Sequence, residues 1–166
     1  MAKQRQRQGG DAVAPQDLSS AVRSLLWSGA LLGIGVAGML DEVVFHQLLR
    51  WHNFYIHTTL DWRIVSDGLF HAFSSLVLLL AAWRLWRQPR LHNRSDEARV
   101  LVAGTLLGAG GFNFYDGTIQ HKLLRLHPIR EGVANQLPYD LVWNMVAFAV
   151  FLAGWWLWRN VQARQA

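Results

Sequence analysis

Residues 31–52 read LLGIGVAGMLDEVVFHQLLRWH, and residues 106–127 read LLGAGGFNFYDGTIQHKLLRLH. Without any gap, ten of these 22 positions are identical at an offset of 75. They are Leu31, Leu32, Gly33, Gly35, Asp41, His46, Leu48, Leu49, Arg50 and His52, with the corresponding residues from Leu106 to His127. Such a match marks an internal duplication. A second, weaker match at an offset of 73 pairs Asp67 with Asp140 and His71 with Asn144. The tails at residues 83–87 and 155–159 also correspond, at an offset of 72.

Outward from these copies lie four apolar runs, at residues 24–49, 64–86, 100–124 and 139–158. Each can cross roughly 30 Å of hydrocarbon at about 1.5 Å per helical residue. No period-two alternation suggests barrel strands, so the expected fold is an all-α integral membrane protein. The expected architecture is a four-helix transmembrane bundle of two tandem helical hairpins, repeat one at about 24–87 and repeat two at about 99–159. Each hairpin holds an even number of spans, so the copies run parallel, related by an axis along the membrane normal. Glycines at 29, 33, 35, 38, 104, 108, 110 and 111 would let helices approach closely.

Composition agrees. The chain has 166 residues, 52% of them hydrophobic, nine tryptophans, only 16% charged residues and no cysteine. The last point removes disulfides, thiolate metal sites and cysteine nucleophiles together. A net charge of +5 could suggest nucleic acid. The basic residues, however, sit between the apolar runs and form no single patch. Lys3, Arg5, Arg7, Arg23, Arg84, Arg87, Arg90, Arg94, Arg99, Arg159 and Arg164 fall on one side of the expected bundle. Arg50, Arg63, Lys122, Arg125 and Arg130 fall on the other. That bias predicts both termini in the cytoplasm. Residues 1–20 read as a disordered polar tail and 21–166 as the transmembrane domain. The first span recurs as the third, so it is expected to be retained and not cleaved as a signal peptide.

The polar residues gather at one end. Asp41 lies late in the first span, Asp67 and His71 early in the second, and Asp116, His121, Asp140 and Asn144 repeat the placement. His52 and His127 are expected just above, at the mouth. Asp41 and His46 are five apart, about 140° around an α-helix, so convergence must come from several helices. Glu42 and His46, like Asp67 and His71, are at i,i+4 on one face. Polar residues can simply fix register between helices, and any one histidine here would suit that role. A duplicated set of acids and imidazoles at one depth points instead to a ligand or proton site, because ionisable groups in a membrane are costly. Imidazole and carboxylate without sulfur suit Cu(II), zinc, or non-haem iron or manganese. His57 and His92 read as solvated loop residues, Ser74 and Ser75 as packing. There is no G-x-S-x-G, H-E-x-x-H, P-loop or E-x-x-H pair, so nothing marks an enzyme.

The order Gly33-Ile34-Gly35, Asp41, His46 to His52, then Asp67-Gly68-Leu69-Phe70-His71, resembles a bacterial family of four-span membrane proteins. So does Gly108 to Asn113, Asp116-Gly117, His121, Leu124 and His127. The family is known as domain of unknown function 2243, and the resemblance covers about residues 25–158. It typically carries Asp-Gly where this chain has Asp41-Glu42, and paired histidines where it has His52-Asn53 and His127-Pro128. The resemblance implies a multi-pass protein of the bacterial inner membrane, occurring alongside copper-oxidase assembly factors in some bacteria. It supplies no activity. The expected site is a transition metal, copper first, held by His46, His71, His121, Asp41, Asp67 and Asp116. His52, His127, Asp140, Asn144 and Glu42 would be secondary. Haem, zinc or iron, or a proton or small-solute transporter using the same cluster, are the alternatives. The expected partners are the lipid bilayer, a respiratory oxidase assembly factor or a second copy of the chain, and not nucleic acid.

Overall fold

The computed structural model describes residues 15–88, 91 and 93–165. Most of the tail at 1–20, with Lys3, Arg5 and Arg7, lies outside the described residues, as do Arg90 and His92. Helix α1 (Pro15–Asp41) already begins inside that expected tail. It runs directly into a π-helical segment, π1 (Glu42–Leu48), and is followed by α2 (Leu60–Arg87). The second half repeats the order with α3 (Arg94–Tyr115), π2 (Asp116–Leu123) and α4 (Leu137–Gln165). There is no strand among the described residues.

Three segments are long and apolar enough to cross a membrane: Ser19–Leu48, Leu60–Arg87 and Leu137–Arg164. The expected third span, residues 100–124, forms the helix α3–π2 but is not among them. Its glycines, Asn113 and Asp116 lower its hydropathy, and Val100, Ala103, Gly104, Gly108 and Gly110 are buried by protein. The outward sides of α2 and α4 are apolar instead, with Leu69, Leu76, Leu79, Met145 and Val146 all well exposed. Burying one such side chain is worth about 1.5–3 kcal/mol, so a continuous face of them calls for hydrocarbon.

The four helices pack in a row. α1 and α3 form a central pair, α2 packs on α1 and α4 packs on α3, while α2 and α4 do not meet. Glycine makes the central contact possible. A Cβ on Gly33 would lie 2.0 Å from the Thr105 carbonyl oxygen, and one on Gly108 would lie 2.0 Å from that of Ala30. The spacings Gly29-xxx-Gly33 and Gly104-xxx-Gly108 are therefore the two sides of one crossing. Below it, Val22, Leu25, Leu91, Val100 and Val161 form an apolar core at the end away from the acids and histidines.

Both central helices end in the same way. Leu49 N donates to Val44 O (2.8 Å) and Leu124 N to Ile119 O (2.7 Å), the i→i+5 bonds of π geometry. Leu49 (φ −81°, ψ −24°) matches Leu124 (φ −82°, ψ −23°). Next come the only positive-φ residues other than glycine among the described residues, Arg50 (51°) and Arg125 (52°), again 75 apart. Trp51 N and Leu126 N then close onto Phe45 O and Gln120 O.

Candidate metal centre

The π-helical winding overturns the argument that one helix cannot point Asp41 and His46 at a common place. About 4.4 residues per π turn bring positions five apart onto one face. His46 Nε2 lies 3.5 Å from Asp41 Oδ2, and His121 Nε2 lies 3.0 Å from Asp116 Oδ2. The other side of the His46 ring meets two more acids. Its Nδ1 is 2.9 Å from Glu42 Oε2 and 3.2 Å from Asp67 Oδ1. Asp67 is oriented from the adjoining loop by the Phe54 amide (2.7 Å) and by Asn53 Nδ2 (2.6 Å).

His52 and His127 are not at a mouth. They are buried at the centre, stacked on each other with ring centroids 4.5 Å apart and planes 13° from parallel. His46 lies 4.5 Å from His52 at 71°, and His121 lies 4.5 Å from His127 at 71°. The cross distances, His46–His127 and His52–His121, are both 6.0 Å. Four imidazoles thus surround a local two-fold axis passing between His52 and His127. The loops after π1 and π2 hold them there. His52 Nδ1 donates to Ile129 O (2.6 Å), Glu131 N donates to Trp51 O (2.7 Å), and Ile56 N donates to Leu126 O (3.2 Å). The first of these leaves His52 Nε2 with its lone pair inward, the arrangement by which backbone carbonyls orient metal-ligating histidines. Burial holds the His52 imidazole down to about 4 and pushes His127 down too, so both rings are neutral donors at physiological pH.

The halves differ around this core. At the position matching Glu42 stands Gly117, where a Cβ would sit 2.7 Å from Asn144 Oδ1. Asp140, the counterpart of Asp67, pairs with Lys122, and Asn144 Nδ2 donates to Asp140 O. Neither residue joins the histidines. His71 does not join them either. The buried stripe of α2 runs through Phe70, Ser74 and Ala81, so His71, about 100° round from Phe70, is exposed on a groove beside the cluster. His57 is exposed and bonds to Arg125 O. Ser74 is buried against Gly38, as expected of packing.

Three donor sets have all their ligand atoms within 4.8 Å of one another: Glu42–His46–Asp67, Asp41–His46–His52 and His52–His121–His127. Buried ring nitrogens without a partner include His52 Nε2 and His121 Nδ1, while His46 Nε2 and His121 Nε2 face the Asp41 and Asp116 carboxylates. This supply of free imidazole nitrogens beside carboxylates fits a borderline transition metal. With the site described, a family profile matching residues 28–161 becomes informative, because that range contains every one of these donors. The chain belongs to the DUF2243 family. Its members are described as predicted membrane proteins, in keeping with the apolar outer faces of α2 and α4. No curated protein and no solved structure matches the chain. His52 and His127, central to the DUF2243 site here, were already among the duplicated identities. Their place between the loops was the part that spacing alone did not give.

Proposed function

We propose that this protein binds a transition metal, copper in the first instance, within the outer half of a four-span membrane domain built from two tandem repeats. The observation that carries this is a charge imbalance around free donors. Asp41, Glu42, Asp67 and Asp116 converge on four imidazoles, and among the described residues none of these acids pairs with a Lys or Arg. Carboxylates gathered in low dielectric need a counter-charge, and a divalent ion supplies it compactly. Copper is favoured by the imidazole-rich donors and by its place at the top of the divalent affinity order.

Related considerations support the rest of the reading. The backbone recurs 75 residues on, as duplication requires, and α3 lies between α1 and α4, so it crosses with them. The eleven-to-five bias of Lys and Arg puts both termini in the cytoplasm and the cluster toward the outer leaflet. Haem fits less well, because the four rings pack at 4.5–6.0 Å and leave no slot for a macrocycle. A conduction path fits less well because the opposite end is closed by Val22, Leu25, Val100 and Val161. A binding protein that handles copper, as in oxidase assembly, suits a blind-ended site.

The test is elemental analysis of the full chain, purified in detergent without a His tag and equilibrated with Cu(II). Stoichiometric copper is expected, with retention in His71→Ala and a loss of affinity of roughly tenfold or more in His127→Ala. Substoichiometric copper in the wild type overturns the reading, and a Soret band transfers it to haem.

A further inference from the structure

The three donor sets are not alternatives. They share residues in sequence. Glu42–His46–Asp67 uses the Nδ1 side of His46, and Asp41–His46–His52 lies on its Nε2 side. His52 is in turn shared with His52–His121–His127. Only one end of this series reaches the surface. Glu42, His46, His52 and Asp67 line a groove of about 770 Å³, so His52 is the one member of the three-imidazole set that touches it, whereas neither His121 nor His127 lines it. The donors also change along the series, from two carboxylates and one imidazole to three imidazoles.

Resting on the metal-binding reading above, we infer that the site loads in one direction through one entrance. Glu42, His46 and Asp67 capture a hydrated divalent ion from the groove, and ligand exchange through His46 and His52 delivers it to the inner three-imidazole set. Hard carboxylate oxygens accept an ion that still keeps water, and the imidazoles then hold it more tightly once water is shed. His46 is the pivot because its two ring nitrogens face successive sets. No covalent or redox step is involved; each donor released is replaced by the next.

The second half offers no equivalent door. Gly117 supplies no carboxylate, and Asn144 occupies the space in which one would begin. Lys122 holds Asp140, placing a fixed ammonium where the first half has Gln47 bonded to Glu42. A cation approaching from that side finds Asp140 already neutralised by Lys122.

Cu(II) alone, added to the full-length tagless protein in detergent and frozen at successive times, tests this by electron paramagnetic resonance. The nitrogen splitting counts imidazoles directly. In the wild type a one-nitrogen species is expected first, converting to a three-nitrogen species. His127→Ala should arrest loading short of the three-nitrogen species, at no more than the two nitrogens of Asp41–His46–His52. Glu42→Gln, which keeps the side-chain volume and can still bond Gln47, should remove the first species and slow the second roughly tenfold. A three-nitrogen species formed without a precursor, or Glu42→Gln loading at the wild-type rate, overturns the directed route while leaving the metal site standing. No bound copper in the wild type overturns the metal reading itself.

Discussion

Replacing Gly33 or Gly108 by Ala tests whether the α1–α3 crossing holds the two halves of the site in register. At either position the new Cβ would start 2.0 Å from a backbone carbonyl oxygen of the other helix, against ordinary contact at about 3.4 Å. The helices must separate locally by about 1.4 Å, and no side-chain rotation can relieve a clash with backbone. Overpacking of this kind costs about 1–3 kcal/mol, and the rigid neighbour puts these sites at the upper end. The better helix propensity of Ala returns about 1 kcal/mol, for a net loss near 2 kcal/mol. Gly111 is the control. There a Cβ would meet only the Phe151 ring, at 3.8 Å, so Gly111→Ala should be neutral or mildly stabilising. The assay is unfolding in mixed micelles by tryptophan fluorescence, with copper binding measured alongside. Separation of α1 from α3 also moves His46 and His52 away from His121 and His127, so stability and copper affinity should fall together. Gly33→Ala and Gly108→Ala variants as stable as Gly111→Ala would refute the reasoning.

Arg50→Gly should stabilise the protein by about 1 kcal/mol, because Arg50 sits at φ 51° and glycine avoids the left-handed penalty. Arg125→Gly should do the same, and Arg50→Val should destabilise; thermal unfolding in detergent reads all three. A reporter fused after residue 166 should be active in the cytoplasm, and a periplasmic signal would reverse the orientation.

The sequence made the helices and their crossing easy to read. Apolar length marks three of the four long helices, and Gly29-xxx-Gly33 with Gly104-xxx-Gly108 marks surfaces able to approach closely. It did not reveal which helices stay apart, because a ring of four and a central pair with two flankers share the same glycine pattern. Nor did it reveal π winding. An Asp41–His46 spacing of five reads as divergence on an α-helix and as convergence on a π-helix. After the π segments the two loops lock against each other through His52 Nδ1 to Ile129 O and Glu131 N to Trp51 O. The same loops draw His52 and His127 inward from where chain position alone would leave them. His71 moved the other way, since i,i+4 spacing from Asp67 fixes a face but not which neighbour that face meets. Asp67 turns to the Phe54 amide and to His46, while His71 opens onto the groove.

The two halves are alike near the histidine rings and differ away from them. A two-fold arrangement needs only the residues near the axis to match, and there His46, His52, His121 and His127 keep paired distances of 4.5 and 6.0 Å. Farther from the axis each copy changes without disturbing the other. Glu42 faces Gly117, Gln47 faces Lys122, Asn53 faces Pro128 and His71 faces Asn144 in the alignment of the copies. Every one of these differences removes a ligating, titratable or hydrogen-bonding group from the second half or adds a cation to it. Elsewhere in the same alignment the second half gains polar groups, Asn113 for Gly38, Thr118 for Val43 and Gln120 for Phe45. Glu42 and Asp67 on one side have no Lys or Arg partner among the described residues, whereas Lys122 pairs with Asp140 on the other, so charge differs across the four imidazoles. On the proposed route a cation would come from the Glu42–Asp67 side, so the asymmetry would give the paired imidazoles a direction.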